Sequence, residues 1–118
     1  MKNKNFLFGV KNATAGLMLA LKTEKNFLVY FLHILVTLPI NLLLGFSVIE
    51  HLIWLVCVIG VFATECVNTA IEHICNFLTE EYDERIKAIK DIAAGAVCCF
   101  GIGFYLTEII MIGLNIFA

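Results

Sequence analysis

The sequence is poor in charge, in proline and in paired cysteines, and each shortage excludes something. Only 15% of the 118 residues are Asp, Glu, Lys or Arg, while 61% are hydrophobic and the mean hydropathy is +0.94. A soluble domain carries roughly 25% charged residues, and so short a chain has too little interior to hide this much apolar surface. Lipid is the expected solvent, and the length allows a single domain over residues 1–118. A net charge of −2 with no basic run argues against nucleic-acid binding. Cys57, Cys66, Cys75, Cys98 and Cys99 are odd in number, form no C-x-x-C pair and lie in apolar stretches. That argues against a zinc knuckle or a disulfide framework and leaves them as small hydrophobes. No G-x-x-x-x-G-K-[ST] run occurs, so any phosphate site is not a Walker loop. Residues 1–26 lack a continuous apolar core, being broken at Lys11, Asn12 and Lys22, so no cleavable signal peptide is expected.

The few charges partition the chain. Phe27 to Phe46 carries none and is 20 residues long, about the length of helix that crosses the hydrocarbon of a bilayer. The single proline, Pro39, lies inside it, which a membrane helix tolerates with a kink. Ser47 to His51 is a short polar break. A second span is expected over 48–78, and a third over 92–117, apolar apart from Glu108. Residues 79–91, TEEYDERIKAIKD, form the one long charged stretch and are expected to be a loop. Residues 1–26 mix apolar Phe6, Val10, Leu17 and Leu21 with Lys11, Thr14 and Lys22, as an amphipathic helix lying in the interface does. The expected fold class is an all-α membrane protein with one surface helix and three transmembrane helices.

Topology follows from the basic residues. Lys2, Lys4, Lys11, Lys22 and Lys25 precede the first span, Arg85, Lys87 and Lys90 lie between the second and third, and the 47–51 break has none. The positive-inside rule places the N-terminus and the 79–91 loop in the cytoplasm and the C-terminus outside.

Chemistry concentrates in Glu65–Glu72, E-C-V-N-T-A-I-E. In a helix Glu65, Asn68 and Glu72 share one face. Glu65 follows directly on an apolar run, where a charge is costly and requires a cation, a metal or water as partner. Glu24 and the Lys90-Asp91 pair belong to the same side of the membrane, so Glu24, Glu65, Glu72 and Asp91 are able to converge with Lys90 beside them. Hard oxygen ligands in that number suit Mg²⁺ carrying phosphates. The same spacing equally suits charges that only set helix depth and packing. Acidic residues scattered along the membrane depth would mark an ion-coupled transport subunit; here only Glu108 lies deep. A non-catalytic structural subunit is the other alternative. Glu108 either pairs between subunits or marks an earlier end of the third span. His33 and Asn41 are read as interhelical hydrogen-bonding groups. Trp54 and Tyr105 are read as interfacial anchors, and Gly101 and Gly103 as small residues for close helix packing.

The run E-x-x-N-T-A-I-E, followed at matching distance by A-x-K-D-x-A-A-G-A-V and preceded by G-L-x-x-A-x-x-x-E at Gly16–Glu24, resembles the prokaryotic diacylglycerol kinase and undecaprenol kinase family along nearly the whole chain. The resemblance implies a bacterial cell-membrane enzyme that phosphorylates a lipid alcohol with ATP and Mg²⁺ and works as a homotrimer with shared active sites. Carried over position by position, it makes Glu65 the base that takes the proton from the lipid hydroxyl. Glu24 and Glu72 would hold Mg²⁺ on the ATP phosphates, Lys90 and Asp91 would contact the nucleotide, and Asn68 would complete the polar shell. Glu81, Tyr82 and Asp83 lie where the family's loop meets the nucleotide. Two positions depart from the family pattern, Asn76 in place of an Asp and Asn5 in place of an Arg, and both remove charge on the nucleotide side. The N-T-A-I-E and K-D-x-A-A-G-A-V forms look closer to the undecaprenol kinase branch than to the diacylglycerol kinase branch.

Overall fold

The structure, a computed structural model, describes residues 2–117, and the side chains of Lys2 and Lys4 lie outside the described residues. It is all helical: α1 spans Lys2–Thr23, α2 Asn26–Leu43, α3 Val48–Leu78 and α4 Glu84–Phe117. The last three are long and apolar enough to cross a membrane. Most of their large apolar side chains, Leu35, Leu43, Val56 and Ile109 among them, point away from the protein, as lipid-facing surfaces do.

Local chemistry sets each boundary. α2 ends in a left-handed glycine cap, with Gly45 at φ +75°. Phe46 N–H bonds to Asn41 C=O at 3.0 Å and Gly45 N–H to Leu42 C=O at 3.2 Å, which satisfies carbonyls the helix end would orphan. The first span is therefore shorter than the uncharged run, because Gly45 breaks the helix before Phe46. Ser47 then caps α3: its Oγ accepts from Glu50 N–H at 3.2 Å and Glu50 Oε2 accepts from Ser47 N–H at 2.7 Å, a reciprocal capping box. The polar break is thus the first turn of α3.

The charged loop is also shorter than its composition suggests. α4 starts at Glu84, eight residues before the apolar run at 92–117. Asp83 accepts from Arg85 N–H at 2.8 Å, Glu84 complements the positive helix end, and Lys87 pairs with Asp91 one turn on. Capping and charge pairing make 84–91 helical although that stretch is polar.

α3 is the element that the others touch, and α4 runs along it most extensively. Their core is a cluster of Phe46, Trp54, Phe104 and Met111. Trp54 is therefore not an interfacial anchor: it is buried, and its indole N–H donates to Thr37 Oγ at 3.0 Å. The α4 glycines do not mark the close approach either, since a Cβ at Gly101 or Gly103 meets nothing. It occurs at Gly60, where a Cβ would stand 2.1 Å from the Phe100 ring. The cysteines are free, with Cys75 buried and Cys98 and Cys99 exposed on α4.

Length places the chemistry. At about 1.5 Å per residue, the 18 residues of α2 span ~27 Å while the 31 of α3 reach ~46 Å. Counting ~20 residues of hydrocarbon from Val48 arrives near Val67, so Asn68–Leu78 and the start of α4 overhang the apolar layer on one side.

Gly60→Leu is expected to destabilise the chain by about 1–3 kcal/mol through overpacking, with Phe100→Ala restoring most of the loss. Thermal unfolding of the two single variants and the double variant in detergent checks this; equal unfolding of Gly60→Leu and the parent chain counts against the contact.

Candidate active site

The face of α3 that carries Val61, Glu65, Asn68 and Thr69 is buried. Glu65 is only 2% exposed, and α2 supplies its partners: Tyr30 OH donates to Oε2 at 2.7 Å and Asn26 Nδ2 to Oε1 at 3.1 Å. The reason is local. Asn26 and Tyr30 stand four apart, on one face of α2, and the fully buried Phe27 ring between them packs on Phe62 of α3 with centroids 5.3 Å apart. That wedge turns the two donors toward Glu65. Each carboxylate oxygen thus holds one charge-assisted hydrogen bond and keeps lone-pair capacity for another.

One turn further, Asn68 Nδ2 lies 3.5 Å from Glu72 Oε1, so Glu65, Asn68 and Glu72 share the face that their spacing predicts. Asn68 Oδ1 and Thr69 Oγ are buried with no partner, and buried polar atoms of this kind call for a missing ligand or water. Thr69 lines a hollow of about 440 Å³ between α1 and α3, walled by small groups at Gly16, Ala20 and Ala70. On the other flank a smaller apolar cavity of about 130 Å³ lies between α2, α3 and α4 and includes Tyr30 in its wall. Near its mouth the Tyr105 hydroxyl and the His33 ring are hydrogen-bonded.

A third hollow, about 770 Å³ and open, is lined by Asn76, Glu81, Tyr82, Asp83, Lys87 and Lys90 among others. It brings Glu81, Tyr82, Asp83 and Lys90 together. Lys90 Nζ donates to Asn76 Oδ1 at 2.7 Å, so the residue that departs from the family pattern is the lysine's partner. The Arg85 guanidinium and backbone N–H hold the Asp83 carboxyl down at about 2. Asp91 is exposed and bonded to Lys87. Glu24 sits half-buried at the tight α1–α2 turn, and its side chain makes no hydrogen bond among the described residues. Asn5 is exposed.

The four carboxylates do not form one cluster within a chain. No group of three or more Asp, Glu, His or Cys side chains able to hold a metal forms among the described residues. Physically, Asp91 lies on α4 where Lys87, on its own helix, claims it, and Glu72 faces Asn68. Asn26 and Tyr30 are the site residues that motif reading passed over. Their signal was a polar pair at helical spacing on an otherwise apolar span, on the same side as a buried acid in need of donors.

These features have a match among known proteins. The family model of prokaryotic diacylglycerol kinase covers residues 11–112. The chain belongs to the prokaryotic diacylglycerol kinase family. Undecaprenol kinase of Bacillus subtilis (strain 168) is 36% identical over 91 residues, 77% of this chain and 74% of that protein. The kinase is thus a membrane enzyme of the diacylglycerol kinase/undecaprenol kinase type, and such an enzyme takes its phosphoryl group from a nucleotide. Mg²⁺ typically keeps several waters and takes only one or two protein carboxylates beside substrate phosphates. The half-buried Glu72, held only by a long bond to Asn68, and the unpaired Glu24 fit that sparse ligation, although one chain forms no complete cage.

Tyr30→Phe is expected to cost the kinase about 1.5–3 kcal/mol, the range for a hydrogen bond to a charged group. The same change in a Glu65→Leu background should cost far less. A double-mutant cycle of unfolding midpoints measures the coupling, and a coupling near zero contradicts the Tyr30–Glu65 bond.

Proposed function

We propose that the kinase phosphorylates undecaprenol to undecaprenyl phosphate with Mg-ATP at the cytoplasmic face of a bacterial cell membrane. The observation that carries the reading is Glu65: a carboxylate on the helix face at the hydrocarbon boundary, held by two donors and open to a third. A lipid hydroxyl arriving from the bilayer meets it at the depth where its own head group rests. Glu65 takes the hydroxyl proton as the lipid oxygen bonds to the γ-phosphorus, the bond from that phosphorus to the β-bridging oxygen breaks, and ADP leaves with the electron pair. Phosphoryl transfer depends on positioning and charge neutralisation more than on covalent machinery.

Asn68, with its unpartnered Oδ1, orients the reacting groups beside Glu65. Glu24 and Glu72 hold Mg²⁺, which when bound neutralises phosphate charge. Lys90 and Asp91, with Glu81, Tyr82 and Asp83 around the open hollow, receive the nucleotide. The overhang of α3 and α4 puts that hollow in water, where ATP is. The sparse acidic set within one chain is what a homotrimer with sites shared between subunits leaves in each subunit. α1 lies in the interface as an amphipathic helix, the N-terminus is cytoplasmic and the C-terminus outside, in line with the distribution of Lys and Arg.

The polyprenol is favoured because the undecaprenol kinase relative is 36% identical to this chain over 91 residues. Diacylglycerol is the second reading, favoured by the description of the family model itself.

Purified protein with Mg-ATP, given undecaprenol or diacylglycerol at equal surface concentration in mixed micelles, should turn over the polyprenol faster; faster phosphorylation of diacylglycerol reverses the assignment. Glu65→Gln is expected to keep its assembly and nucleotide binding while turnover falls about 10²–10⁴-fold, the contribution of a general base. Turnover near that of the parent chain removes Glu65 from that role.

A further inference from the structure

A second buried carboxylate, which phosphoryl transfer does not use, lies toward the opposite end of the helices. Glu108 of α4 is 5% exposed and Asn41 of α2 is fully buried. Asn41 Nδ2 donates to Glu108 Oε2 at 3.4 Å, so α4 runs on past Glu108 and the acid finds its partner within the same chain. The remaining two oxygens, Glu108 Oε1 and Asn41 Oδ1, are both buried and both without a partner. If the carboxyl is ionised, both are acceptors, and the pair is short by one hydrogen.

Among the described residues of the chain, no neighbour supplies it. On α3, His51 is close enough to act electrostatically on Glu108. Its Nδ1, however, is bonded to Ser47 C=O at 3.0 Å, and its Nε2 is buried and makes no hydrogen bond to Glu108 or to any other described group. Glu50, also on α3, has one oxygen bonded to Ser47 N–H and the other to Asn115 of α4 at 2.7 Å. Near Asn41, α2 carries no charged side chain, and its Thr37 hydroxyl donates to His33 C=O. No described Lys or Arg forms an ion pair with Glu108. A bare carboxylate at this depth is costly.

We propose that Glu108 carries a proton at neutral pH, so that Glu108 and Asn41 form a neutral acid–amide clasp between α2 and α4. With hydrogen on Oε1, Glu108 donates to Asn41 Oδ1 while Asn41 Nδ2 donates to Oε2. One proton, taken from water as the chain folds, satisfies both orphaned oxygens and removes the charge. The ligand of this site is therefore a proton, and the site joins the two helices that the Glu65 end does not join to each other.

Two measurements on the full-length protein in bilayers test the clasp. Infrared spectra at neutral pH should show the carbonyl stretch of a protonated carboxyl that disappears in Glu108→Gln. A spectrum with no such band, or a band that Glu108→Gln leaves in place, overturns the proposal. In the unfolded chain the proton leaves in the ordinary carboxylate range, so the folding equilibrium of the parent chain should weaken as pH rises from there, by up to tenfold per pH unit, until the folded carboxyl also ionises. Glu108→Gln makes the same two bonds without a proton, so it should assemble normally at neutral pH and lose that slope. Failure of Glu108→Gln to assemble, or an unchanged slope, means that α4 requires the charge, and the proposal falls.

Discussion

Two hydrogen bonds from α2 to one carboxylate of α3 govern how this molecule is put together. Lipid gives helices little reason to prefer one rotation over another, because the tails outside are as apolar as the side chains inside. Polar pairs provide the preference. Tyr30 and Asn26 reach Glu65 only if α2 presents one particular face, and Phe27 fills the space between them only in that same rotation. The turn at Glu24 and Lys25 then follows, and with it the direction in which α1 departs. The acid that is costly to bury is thereby the one that orders the surrounding helices.

The helical character and the three spans were legible because bilayer thickness forces long uncharged runs, and the shared face of Glu65, Asn68 and Glu72 follows from the 3.6-residue period. Boundaries were less legible. The Ser47–Glu50 capping box and the Asp83 cap are local signals present in the sequence, but composition hid them: polar residues in a first helical turn look like loop. The pairings were not legible from local pattern. Tyr30 with Glu65, Asn26 with Glu65 and Asn41 with Glu108 lie 35, 39 and 67 residues apart, and no period links them. Trp54 misled for the same reason, since its burial depends on Phe104 and Met111 of another helix. Within one chain the four acids do not form a cluster, because sequence shows which side of the membrane a residue occupies and not its azimuth around the bundle.

The polar inventory divides by role. On the Glu65 side, Asn68 and Thr69 each hold a buried unpartnered oxygen, and Thr69 lines the hollow between α1 and α3. On the Glu108 side, the unpartnered atoms belong to two side chains already joined by a hydrogen bond. The two buried carboxylates thus lie at different heights of the same three helices. Between those heights Phe100 packs closely against Gly60, and the Trp54–Thr37 and Tyr105–His33 hydrogen bonds cross between the helices.

α2 has a further property that comes from its ties. It is the shortest of the crossing helices, and it is fastened near both ends, to α3 through Glu65 and to α4 through Glu108. A free helix adapts to a thicker or thinner membrane by tilting alone, whereas α2, tied also through Thr37 and His33, tilts only together with α3 and α4. The mismatch must be taken up by the surrounding lipids, which compress or stretch around the protein at a cost of fractions of a kcal/mol per Å. Membranes whose hydrocarbon matches α2 are expected to hold it with the least distortion.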